Sequence, residues 1–180
     1  MSAAVPSDSE LDALAGAALA ALARRGWRVT LAESCTGGWI AKVLTDVPGS
    51  SAQFESGFVT YANRAKQGAL GVRAATLATE GAVSRATALE MAAGACERSG
   101  AEMAVSVSGI AGPGGGSAGR PVGLVWFGWR TASGLHDALC EHFAGDREAV
   151  RRQAVARALR LVVSLADARP ESESPASLCK

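Results

Sequence analysis

Apolar residues first recur at helical spacing over residues 8–25, where Leu11, Leu14, Ala18 and Leu22 share a side; Ser7 or Asp8 supplies the start signal and Gly26 the stop. Residues 27–33 (WRVTLAE) read as a buried strand. The turn Ser34-Cys35-Thr36-Gly37-Gly38 then carries the chain into a second helix with Trp39, Ile40, Val43 and Leu44 on its apolar side, and 46–51 (DVPGSS) breaks that helix. Residues 54–61 (FESGFVTY) alternate as a strand does and pass through 62–66 into a short helix, while 76–83 read as irregular. Ser84 caps a helix to residue 98 with Leu89, Met91, Ala92 and Ala95 as its apolar side. A strand over 102–108 precedes a glycine-rich loop over 109–119. Strands over 121–130 and 135–143 form an antiparallel pair, and Gly145-Asp146-Arg147 opens a long last helix to residue 167.

Helices that alternate with strands and end in a hairpin predict an α/β fold, a three-layer α/β/α domain over residues 1–168 with a mixed, mostly parallel sheet. From residue 169 the polar, Pro/Ser-rich tail predicts disorder. The composition agrees with one globular domain: 180 residues, 48% hydrophobic and 19% charged. Alanine (38) and glycine (21) favour helices packed closely on a sheet, and the Ala-rich helices suit a homodimer. A net charge of +1 argues against nucleic acid or anionic membrane held through bulk electrostatics. No apolar run approaches the ~20 residues that span a bilayer, and the N-terminus lacks the basic region of a secretory signal. A cytoplasmic location is therefore expected.

Candidate chemistry narrows quickly. Cys35, Cys96, Cys140 and Cys179 contain no CxxC pair, which disfavours zinc ribbons and dithiol redox sites. His136 and His142 are the only histidines and share one face of a predicted strand with Cys140; strand-face side chains are the better reading than a metal site. The turn 34–38 presents backbone N–H groups at a helix start, which reads as an anion site or as a plain N-cap. The loop 108–116 (SGIAGPGGG) lacks GK[ST] and follows a strand into another strand, so it is a surface loop or an amide-lined wall over a ligand, not a Walker loop. Serine with lysine remains. Of 18 cations 15 are arginine, which keeps its proton, so Lys66 stands out as a group that burial can neutralise into a base. Ser50 and Ser51 before the 54–61 strand, or Ser34, are its candidate partners, and Tyr61 is placed to pass or orient a proton.

Taken together, AESCTGGWIAKVLTDVPGSSAQFESGFVTYANRAK, SVSGIAGPGGG, RPVGLVWFG and FAGDREAVRRQAV resemble the CinA C-terminal family across roughly residues 8–165. The family includes stand-alone nicotinamide-nucleotide amidases. The resemblance implies hydrolysis of the carboxamide of nicotinamide mononucleotide (NMN), a small-molecule nucleotide substrate, by serine and lysine with no metal or other cofactor. It implies Ser51 as nucleophile, Lys66 as base and Tyr61 as the assisting hydroxyl, with Thr36, Gly37, Gly38, Asn63, Ser108 and Gly109 around the substrate and Arg147 suited to its phosphate. Ser51 is preferred over Ser34 because a serine at a helix start is better placed to bind an anion or oxyanion. Arg64 departs from the acidic residue many relatives carry there and adds a positive charge near Lys66. Long CinA proteins carry a further N-terminal domain that this sequence does not show, so its pyrophosphatase activity is not expected. A non-catalytic nucleotide-binding protein linked to competence or DNA damage is the alternative function.

Overall fold

The computed structural model describes residues 4–168, so the tail expected to be disordered, with Cys179 in it, lies outside the described residues. The first helix, α1 (Asp8–Arg25), starts and stops where its punctuation places it. Ser7 Oγ accepts the Glu10 N–H, the Glu10 carboxylate accepts the Ser7 N–H, and Gly26 closes the C-terminus. In chain order there follow β1 (Val29–Glu33), α2 (Trp39–Thr45), a 3-10 turn over Ser50–Ala52, β2 (Phe54–Val59), α3 (Asn63–Leu70), α4 (Ala74–Thr79), α5 (Arg85–Ser99), β3 (Met103–Gly109), β4 (Leu124–Thr131), β5 (His136–His142) and α6 (Arg147–Asp167).

One five-stranded sheet in the order β2-β1-β3-β4-β5 forms the middle layer. β1 pairs parallel with β2 and β3, whereas β3–β4 and β4–β5 are antiparallel, so only β4 runs against the rest. The α/β fold with a mixed sheet stands. Alternate strand residues feed the two outer layers. Val29, Leu31, Met103, Val105, Val107, Val125 and Phe127 pack against α1, α2 and α6. Ala32 and Ala104 meet Met91, Ala92 and Ala95 of α5, with Leu70 and Val72 beside them.

Small residues on the α5 side bring that helix almost onto the sheet. Ser106 Oγ donates to the Ala88 carbonyl at 2.6 Å, and a Cβ at Gly128 would stand 2.4 Å from the same oxygen. Contact with α3 is tighter still: a Cβ at Gly94 would fall 1.8 Å from the Leu70 carbonyl oxygen. Because backbone cannot yield there as a flexible side chain can, Gly94→Ala is expected to cost about 3 kcal/mol, read as a fall in the urea midpoint with the slope unchanged.

Two local expectations change. Within 76–83, residues up to Thr79 are helical, because α4 is started by a tertiary contact: Glu90 of α5 accepts the Arg73 N–H at 2.9 Å and the Thr76 hydroxyl at 2.7 Å. The short helix after Tyr61 extends to Leu70, its last residue packing under α5. Among the described residues no helix is long and apolar enough to cross a membrane.

Candidate active site

The C-terminal ends of β1, β2 and β3 lie side by side, as parallel pairing requires, and release three segments at one sheet edge: the 34–38 turn, the 60–66 segment and the 109–119 loop. The N-terminus of α6 and the 80–84 segment before α5 close the same edge. Between them lies a cleft of about 250 Å³ lined by Ser34, Cys35, Tyr61, Lys66, Ser108 and Arg147, among others. A larger hollow of about 480 Å³ near Cys96, Arg130 and His136 holds no serine–lysine pair; its Arg130 is engaged by Glu97.

Lys66 is the largest fully buried side chain, 1% exposed. α3 turns it inward under the end of β2. Its Nζ lies 2.9 Å from Ser34 Oγ and donates to the carbonyls of Thr60 at 2.7 Å and Tyr61 at 3.3 Å. Burial pushes its pKa down from 10.5 to about 8, with a smaller opposing pull from Cys35. Two carbonyls can only accept. A neutral amine that gives both its N–H groups to them keeps its lone pair for the third neighbour, the Ser34 hydroxyl, which then donates to it. Ser34, 8% exposed, opens to the cleft. Cys35 beside it is inert: burial pushes its thiol up to about 12.

Ser51 stands elsewhere, and the expectation that it meets Lys66 is corrected. It is exposed, in the 3-10 turn before β2, whereas Lys66 follows β2. A six-residue strand separates the two by roughly 20 Å. Ser34 meets Lys66 instead because Glu33 and Val59 are register partners, which places the two strand ends adjacent.

The 34–38 turn is not an open anion site either. The buried Glu33 carboxylate fills the start of α2, accepting the N–H groups of Gly38 at 2.9 Å, Ile40 at 3.2 Å and Ala41 at 2.8 Å. Thr36 points into the interior, fully buried, with its hydroxyl unpartnered. Gly37 N–H turns back to the Ser34 carbonyl. Neither Asn63 nor Arg64 lines the cleft; both are exposed at the start of α3. Ser108 and Gly109 do line it, with the Ser108 hydroxyl committed to the Ala82 carbonyl at 2.7 Å. The Tyr61 phenol accepts from Arg147 at 3.0 Å, and Arg147 also donates to the Gly112 carbonyl at 2.8 Å, so both of its partners are uncharged. His136 and His142 of β5 pair with the backbone carbonyls of Gly134 and Val122. Two residues that matter here escaped the sequence reading, Glu33 and Arg151; for Arg151 a signal existed, since it lies one helical turn beyond Arg147.

A model described as the CinA C-terminal domain matches residues 11–166. The chain belongs to the CinA C-terminal domain family. This CinA domain is 58% identical over 154 residues to a protein of Escherichia coli (strain K12) named nicotinamide-nucleotide amidohydrolase PncC, covering 86% of this chain and 93% of that one. A Pseudomonas putida protein of the same name is 52% identical over 138 residues, covering 77% and 86%. Among solved structures, the competence/damage inducible protein CihA from Agrobacterium tumefaciens superposes on the CinA domain with a TM-score of 0.85 at 46% identity, covering 91% of this chain and 98% of that one.

Proposed function

We propose that this chain hydrolyses the carboxamide of NMN to nicotinic acid mononucleotide and ammonia, with Ser34 as nucleophile and Lys66 as its base. One observation carries the reading: a solvent-shielded amine of lowered pKa within 2.9 Å of a serine hydroxyl on a cleft wall. The relatives named for nicotinamide-nucleotide amidohydrolase activity supply the substrate.

In this scheme Ser34 Oγ attacks the carboxamide carbon while its proton passes to Lys66 Nζ. The Cys35 and Thr36 N–H groups, which the Glu33 carboxylate does not take, or those of Ala111 and Gly112 stabilise the oxyanion. The C–N bond breaks as the Lys66 ammonium protonates the departing nitrogen, which leaves as ammonia, and an ester remains on Ser34. Water then attacks that ester, gives a proton to Lys66, and the acid departs as the proton returns to Ser34 Oγ. Arg147 holds the phosphate: its present partners are neutral, so a phosphate dianion offers it a stronger, charge-assisted pair. Tyr61 contributes its carbonyl to the amine and its phenol to Arg147.

Purified protein is expected to release one ammonia per NMN consumed, followed by an enzyme-coupled ammonia assay. Arg147→Ala should raise KM for NMN at least tenfold and leave turnover of nicotinamide riboside, which has no phosphate, unchanged. A thermal shift on adding NMN with no ammonia formed would replace this reading with that of a passive nucleotide-binding protein.

A further inference from the structure

The turn that carries Ser34 is gripped from both sides by ions. On the inner side the Glu33 carboxylate takes the N–H groups that begin α2. On the outer side Arg151, in the second turn of α6, donates from Nε to the Cys35 carbonyl at 3.1 Å and from Nη2 to the Thr36 carbonyl at 2.8 Å. Its guanidinium also lies 5.1 Å from the centre of the Trp39 ring, the first residue of α2. The fit is close: a Cβ on Gly37 would come within 3.3 Å of Nη2. The remaining backbone of the turn is pinned by Ser34 N–H to the Val107 carbonyl and by Gly37 N–H to the Ser34 carbonyl.

We propose that Arg151 is a positioning residue for the nucleophile: its fork on the Cys35 and Thr36 carbonyls fixes the turn so that Ser34 Oγ meets Lys66 and the following N–H groups keep their direction. A trans peptide sets its N–H opposite its C=O. Drawing the Cys35 carbonyl toward α6 therefore turns the Thr36 N–H to the far side of the turn, away from α6. Among the described residues no other side chain of α6 donates to these two carbonyls. A lysine cannot replace the fork, because a single ammonium on a flexible stem lacks the planar pair of donors. Displacement of a nucleophile by about 1 Å costs on the order of a hundredfold in rate, which sets the size of the effect.

This inference rests on the proposed amidase reading, and two readouts separate their failures. In NMN deamidation, Arg151→Ala is expected to lower kcat about a hundredfold with KM within threefold of wild type. Millimolar methylguanidinium should restore at least tenfold of that loss and leave wild type unaffected. Arg151→Lys should recover less than the added methylguanidinium does; should Arg151→Ala not fold, Arg151→Lys carries the same kcat-against-KM test. A kcat within threefold of wild type overturns the proposal. So does a tenfold rise in KM with kcat kept, which would make Arg151 a substrate contact, or a loss that methylguanidinium does not repair. The second readout is the rate at which a fluorophosphonate labels Ser34, which needs no NMN. If wild type labels but releases no ammonia from NMN, the substrate reading falls and the labelling ratio of Arg151→Ala to wild type decides the positioning role. If wild type does not label, both fall.

Discussion

Lys66→Met is expected to lower kcat for ammonia release about a thousandfold, the loss typical of a positioned general base, and at the same time to leave the fold more stable than wild type at pH 7. The two effects share one cause. Burial at 1% exposure lowers the pKa from 10.5 to about 8, so the folded state resists the proton that the unfolded chain carries. Below pH 8 both states are protonated and the penalty is present in full, about 3 kcal/mol for 2.5 pKa units. Between pH 8 and 10.5 the unfolded chain binds more protons than the folded one, so wild-type stability rises through that window. Methionine fills similar volume without the charge, but strands the Thr60 and Tyr61 carbonyls that the amine satisfies, at about 1 kcal/mol each. The net gain expected at pH 7 is about 1 kcal/mol, and urea denaturation at pH 7 and pH 10 should show the advantage shrink or reverse at the higher pH. In the proposed scheme activity runs with the neutral amine, so wild-type kcat/KM should climb tenfold per pH unit below 8 and level off above it. A variant that keeps a tenth of the activity, or a rate independent of pH between 6 and 8, would remove Lys66 from the role of base.

Much of this architecture is legible in the residues. Ser7 and Gly26 bound α1, Ser84 starts α5, and the alternation in 124–131 and 136–142 marks an antiparallel pair, because caps and period-2 patterns act within a few residues. Lys66 is legible for a different reason: in a chain that spends arginine on its surface cations, a lysine in a short helix with Leu70 on the same buried side is out of place. Long-range contacts are what the residues do not show. Helix α4 exists because Glu90, fourteen positions from Thr76, supplies its start. The glutamate in ESCTGG does not leave the α2 amides open to a ligand; it bends into them, and nothing local distinguishes those two outcomes. Serine assignment falls between the two cases. Ser51 and Lys66 bracket one strand, so strand length alone keeps them apart, while Ser34 and Thr60 follow neighbouring parallel strands and must emerge together.

That geometry gives the sharpest contrast between two serines of the same motif region. Ser34→Ala is expected to lower kcat at least about 10⁴-fold, since it removes the atom that forms the bond to carbon in the proposed scheme. Ser51→Ala should stay within twofold of wild type, because its hydroxyl is solvent-exposed at the far end of β2. Burial at Ser34 is modest in volume and its partner amine keeps both carbonyls, so Ser34→Ala should retain the wild-type melting temperature within about 3 °C. The double variant Ser34→Ala/Lys66→Met should lose no more activity than Ser34→Ala alone, since a base has no function without the hydroxyl it deprotonates. An acid quench during turnover adds a direct test: the nicotinate mononucleotide ester should appear by mass spectrometry on the peptide that contains Ser34, and the peptide that contains Ser51 should carry none. An active Ser34→Ala protein beside an inactive Ser51→Ala protein would remove Ser34 from the role of nucleophile and overturn the proposed mechanism.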